Sequence, residues 1–120
     1  MAATLAFASV SAMADNFGGV SYQSQAKMKS IIYAEFGHNW RGDAMVRCAR
    51  RESGFNPRAA NWRDSHGGSF GLLQINGVHN RGYGYATPKF IQAMFDPYQN
   101  VRMAHKLMNG AGLGPWGGGC

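Results

Sequence analysis

At 120 residues, 45% hydrophobic and only 15% charged, the chain is the size of one domain with one core, and a multidomain reading is set aside. Twelve Lys and Arg against six Asp and Glu give a formal net charge of +6, so the surface should attract a polyanion: nucleic acid, an anionic membrane or an anionic cell wall. The arginines are scattered from Arg41 to Arg102 without a helix-turn-helix or metal-finger pattern, which argues against nucleic acid.

The N-terminal "MAATLAFASVSAMADNF" joins an apolar run, Ala2 to Val10, to the small residues Ser11-Ala12-Met13-Ala14. Residues 1–14 therefore read as a secretory signal cleaved after Ala14, with an N-terminal arm as the alternative because a charged leader end is missing. Residues 15–120 read as the single domain. The run is too short to span a bilayer, no later segment does better, and stable membrane insertion is not expected.

"SQAKMKSIIYAEF" puts Met28, Ile31, Ile32 and Phe36 at helical spacing, with Gly37 as the stop. The next helix, about Asp43 to Arg51, turns Ala44, Met45, Cys48 and Ala49 inward and Arg47, Arg50 and Arg51 outward. Glu52 stands four residues after Cys48, on the inward-leaning face at the helix end. Gly54 and Pro57 stop the helix. "WRDSHGGSF" is expected to form a short polar hairpin or irregular ribbon, and "GLLQIN" a compact apolar turn. Thr87-Pro88 and Asp96-Pro97 pair an N-cap with proline at the first helical position, which predicts helices over about Pro88–Met94 and Pro97–Asn109, the second stopped by Gly110.

Two glutamates occur in the chain, Glu35 and Glu52. Glu35 reads as a solvated helix residue. At Glu52 the negative end of the helix dipole and partial burial favour a carboxyl group that holds its proton, which is what protonation of a glycosidic oxygen requires. A structural glutamate is the alternative. The two cysteines, Cys48 and Cys120, favour one disulfide in an exported chain, two free thiols being the alternative. His38, His66, His79 and His105 lack ligand spacing, so neither a metal nor a cofactor is expected. Arg41-Gly42-Asp43 reads as a helix start rather than an adhesion site, and Gly67-Gly68 and Gly71 lack the Lys-Ser/Thr of a phosphate loop.

"ESGFNPRAAN" followed by "GSFGLLQIN" resembles the signature of the lysozyme-like superfamily, shared by soluble lytic transglycosylases and by goose-type and chicken-type lysozymes. The likeness is close from Cys48 to about Asn76 and looser at "DPYQNV". It implies an α+β, mainly α, lysozyme-like fold with the polar hairpin or loop beside a sugar-binding cleft, and Glu52 as the general acid. The chain departs from the chicken-type pattern at Ser69, where a second carboxylate would stand; Asp64, in the same loop, is the obvious substitute. Retaining hydrolases place two carboxyl groups about 5 Å apart and inverting ones about 6.5–9.5 Å. With one acid alone, the resemblance implies a lytic transglycosylase: the substrate's N-acetyl and C6 hydroxyl groups complete the chemistry, and a 1,6-anhydro sugar results.

Asn61, Ser69, Gln74 and Asn76 are carried over as sugar-binding positions, although Gln74 and Asn76 could equally serve buried backbone groups at a tight turn. Tyr83, Tyr85 and Trp116 are candidates to stack on sugar rings, with core packing as the alternative. The expected partner is the glycan strand of peptidoglycan and the expected setting an exported, periplasmic or extracellular monomer, bacterial or phage-borne. A hydrolytic muramidase, a silent wall- or chitin-binding module and a cationic membrane-active protein are the rival readings.

Overall fold

The computed structural model describes residues 19–120, so the signal-peptide expectation for residues 1–14 lies outside the described residues. Among the described residues four helices accompany a small antiparallel sheet, the mainly helical α+β arrangement expected. Helix α1, Tyr22–Phe36, starts two residues before its expected position because the Ser21 hydroxyl accepts the Ser24 N–H at 3.1 Å. It buries Met28, Ile31, Ile32 and Phe36 and ends at Gly37.

Helix α2, Trp40–Ser53, also starts early. Asn39 is the cap, its side-chain oxygen accepting from the N–H groups of Arg41 and Gly42 at 2.9 and 3.2 Å. Asp43 falls in the first turn, a favourable place for an anion, and accepts the Tyr33 hydroxyl at 2.7 Å. Gly42 lets the two helices meet: a Cβ there would strike the Gly37 carbonyl and the Tyr33 ring. Gly54, at φ 60°, closes α2 in the left-handed conformation that glycine tolerates best.

The polar hairpin forms as expected, and "GLLQIN" contributes more than a turn. Strands β1 (Ala60–Asn61), β2 (Ser69–Phe70) and β3 (Ile75–Asn76) pair antiparallel in that order, with Asn61 opposite Ser69 and Ser69 opposite Asn76. A 3-10 turn, Gly77–His79, follows β3. Helices α3 (Pro88–Met94) and α4 (Pro97–Ala111) are capped by Thr87 and Asp96 as expected. Gly110 lies inside α4, however, and the helix stops at Gly112, which takes the left-handed φ of 57°. A second 3-10 turn covers Gly114–Trp116.

The core gathers Ile32 and Phe36 of α1, Met45, Cys48 and Ala49 of α2, Leu72 and Leu73 of the apolar turn, and Val101, Ala104 and Met108 of α4. Asn100 is the polar pin within it. Fully buried, it donates from Nδ2 to the carbonyls of Phe70 and Met94, both at 3.0 Å, and accepts the Leu73 N–H at 2.9 Å. Asn100→Leu should strand these three backbone groups and cost about 3 kcal/mol, read as a lower midpoint in urea unfolding with an unchanged slope. Glu35 is not simply solvated: its Oε2 lies 2.7 Å from Nδ1 of His105, pairing α1 with α4. No helix among the described residues is long and apolar enough to cross a membrane.

Candidate active site

The site begins where α2 ends. The Ser53 hydroxyl lies within hydrogen-bond distance of Ala49 O (3.0 Å) and Leu72 O (2.7 Å), its one proton shared between them, tying the helix end to the apolar turn. Glu52, one residue earlier, is half-buried, its side chain 26% exposed, on the wall of a cleft of about 200 Å³. Asp64, Ser69, Gln74 and Asn76 line the same cleft, so the hairpin and the apolar turn bring five of the anticipated residues together. Leu107, Pro115 and Trp116 close it from α4 and the tail.

Arg51, expected only to face outward, takes part in the site as well. Arg51 is exposed, but its Nε and Nη2 donate to Glu52 Oε2 at 3.1 and 2.6 Å. The same guanidinium donates from Nη1 to Gly119 O and from Nη2 to Trp116 O, both at 2.8 Å. One arginine thus orients the carboxylate and pins the C-terminal segment beside it. The Arg51 cation sits directly on Glu52 at the negative end of the helix. A disulfide joins Cys48 to Cys120, with Cα atoms 4.9 Å apart, and Arg47 Nε donates to Cys120 O at 3.1 Å.

Opposite Glu52 in sequence, though in the same cleft, the hairpin builds a polar relay. Asn76 Nδ2 donates to Ser69 Oγ at 3.1 Å and to Ser65 O at 2.8 Å, and Ser69 Oγ donates to Asp64 Oδ2 at 2.6 Å. Ser69, itself buried, holds a carboxylate where it lacks one. Asp64, although exposed, is thus tied to β2 through Ser69. Gln74 takes a left-handed φ of 50°, and its Nε2 donates to Ala59 O and Gly71 O at 3.1 and 3.0 Å. Its amide group does serve the tight turn, while the side chain still lines the cleft.

Asn61, Tyr83 and Tyr85 are not among the cleft-lining residues. Asn61 is exposed on β1 and spends its side-chain oxygen on the Arg63 N–H at 3.2 Å. Tyr83 lines a separate groove against α3, and Tyr85 lies over Gly67, where a Cβ would come within 2.9 Å of its ring. Trp116 is buried, with its indole N–H on Leu73 O at 2.9 Å, so it anchors the wall instead of offering an open face.

His79, delivered by the 3-10 turn after β3, lines the cleft as well. Burial, and then the charge of His66, hold its imidazole below the ordinary value of 6.5. For such a group the unfolded chain binds the extra proton more readily. Its contribution to stability is whole above pH 6.5 and drains away as pH falls from there towards the folded value. Thermal unfolding followed between pH 7.5 and about 5 should show a decline that a His79→Gln variant makes shallower.

Among the described residues no cluster of three His, Cys, Asp or Glu side chains could hold a metal ion. What the described residues present is a half-buried glutamate at a helix end, paired by arginine in a cleft that the polar hairpin also lines, within an α+β fold of the lysozyme-like class. The family model described as "Transglycosylase SLT domain" matches residues 30–112, well over half of the chain, and the protein belongs to that family. SLT domains act on peptidoglycan outside the cytoplasm, with activity of the lytic transglycosylase type. No curated protein and no solved structure matches the chain.

Proposed function

We propose that the protein is a lytic transglycosylase that cleaves the MurNAc-β-1,4-GlcNAc bond with Glu52 as its catalytic acid. The observation that carries this reading is the half-buried Glu52 carboxylate on the wall of a polar cleft inside the matched SLT region. Its carboxyl proton passes to the glycosidic oxygen as the bond from that oxygen to the muramyl C1 breaks. The substrate's N-acetyl oxygen supports the positive charge at C1. The C6 hydroxyl oxygen then bonds to C1 and gives its proton back to the Glu52 carboxylate, so the acid is regenerated and a 1,6-anhydromuramyl end is formed. Arg51 orients the carboxylate through both of its contacts to Oε2.

Hydrolysis is the second reading, favoured by the short Ser69–Asp64 hydrogen bond of 2.6 Å. An Asp64 carboxylate held by Ser69 in the Glu52 cleft could take a proton from water as that water attacks C1. Mass spectrometry of digested peptidoglycan separates the two: anhydro ends, lighter by one water, are expected, and reducing ends alone would replace transglycosylation by the Asp64 route.

Action on the wall from outside the cytoplasm, as a monomer and without a cofactor, completes the proposal. The Cys48–Cys120 disulfide suits an oxidising compartment, and the net charge of +6 suits an anionic wall.

A further inference from the structure

The two oxygens of the Glu52 carboxylate meet different surroundings. Oε2 accepts the Arg51 Nη2–H at 2.6 Å and the Nε–H at 3.1 Å, whereas Oε1 accepts no hydrogen bond from any described residue. The guanidinium is not free to swing aside, because Nη1 donates to Gly119 O and Nη2 also to Trp116 O, both at 2.8 Å. Each of those carbonyls is itself held. Trp116 is buried with its indole N–H on Leu73 O, and Gly119 precedes Cys120, which is bonded to Cys48 one turn before Glu52 in the same helix.

A carboxylate oxygen has two lone pairs, and the two N–H groups of Arg51 engage both of those on Oε2. A proton placed on Oε2 would have to displace one of these charge-assisted bonds, and the guanidinium gives up no proton in exchange. Oε1 carries no such penalty. We propose that Arg51 is a positioning residue that reserves Oε1 for the catalytic proton, with the C-terminal segment as the brace that keeps the guanidinium in place. The inference rests on the reading of Glu52 as the acid given above. The Oε1–H bond breaks as the glycosidic oxygen takes the proton, the C6 hydroxyl later returns a proton to the same Oε1, and Oε2 keeps both N–H bonds throughout. The carboxyl group thus serves both halves of the reaction without turning over.

The test measures kcat and KM on soluble uncross-linked glycan strands, with a melting curve for each full-length variant. Arg51→Ala should lower kcat about ten- to hundredfold and change KM by less than about twofold, since a misplaced proton harms the chemical step and not strand binding. Guanidinium ion at about 20 mM, well below denaturing concentrations, should raise the kcat of Arg51→Ala about fivefold and leave Glu52→Gln and the unsubstituted protein unchanged. Arg51→Lys keeps the charge but not the planar fork, so its kcat should stay close to that of Arg51→Ala, and it carries the measurement if the alanine variant does not fold. Arg47→Ala, which loses the bond to Cys120 O without touching Glu52, should keep the kcat of the unsubstituted protein.

A kcat for Arg51→Ala or Arg51→Lys within about twofold of the unsubstituted protein would overturn the inference, as would a loss that guanidinium leaves unchanged or that Arg47→Ala reproduces. If Glu52→Gln is inactive in those cases, the inference alone fails and the reading of Glu52 as the acid stands. If Glu52→Gln cleaves the strands as fast as the unsubstituted protein, that reading fails with it.

Discussion

Glu52→Gln should lower the rate of wall lysis by about a hundredfold to ten-thousandfold, the range that positioned general acids contribute. Glutamine keeps the shape of the side chain and an oxygen for Arg51, but it has no carboxyl proton to pass to the glycosidic oxygen. Glu52 is half-buried and its one ion pair is with an exposed arginine, so the thermal midpoint should move little. The measurement is turbidity of a purified wall suspension alongside a melting curve. A variant that unfolds normally and still lyses walls at a comparable rate would remove Glu52 from the mechanism. An unsubstituted protein that sediments with walls and leaves them intact would point instead to a silent binding module.

Loss of the disulfide should have the largest effect on stability. Cys48 and Cys120 are 72 residues apart in sequence, and cross-linking a loop of that length restricts the unfolded chain by about 4 kcal/mol in the loop-entropy account. For a domain of this size the Cys48→Ala/Cys120→Ala protein should melt on the order of 15 °C lower. Activity well below that midpoint should fall much less. Trp116 would still be held by Leu73 O, and Arg51 by Trp116 O, so the wall beside Glu52 keeps contacts of its own. A double variant that melts within a few degrees of the parent would mean that the unfolded chain is already compact there.

Local chemistry made much of this readable in the sequence. The α2 end, with Gly54 and Pro57 behind Glu52, and the Thr87-Pro88 and Asp96-Pro97 helix starts each depend on neighbours within a few residues. The misses depend on partners far away. Arg51 looks like a solvated charge until the segment around Trp116 and Gly119 arrives, and Glu35 until His105 does. The role of Ser69 follows from strand register: lying opposite Asn61 on one side and Asn76 on the other, it reaches Asp64 across the hairpin. The starts of α1 and α2 are harder to read for a smaller reason, since Ser21 and Asn39 lie just outside the apolar pattern that marks a helix. Tyr83 and Tyr85 were assigned by residue type alone, and aromatic character does not say which hollow a side chain faces.

The floor of the cleft leaves its own side chains little freedom. The Gln74 amide is spent on Ala59 O and Gly71 O, and Asn76 is spent on Ser65 O and the Ser69 hydroxyl. For the proposed reaction, a surface set in this way would act as a mould, the adjustment of shape falling on the sugar ring rather than on the protein. Flattening of the ring at C1 is the distortion that departure of the glycosidic oxygen demands, so on that proposal a stiff floor would turn binding into a push along the reaction path.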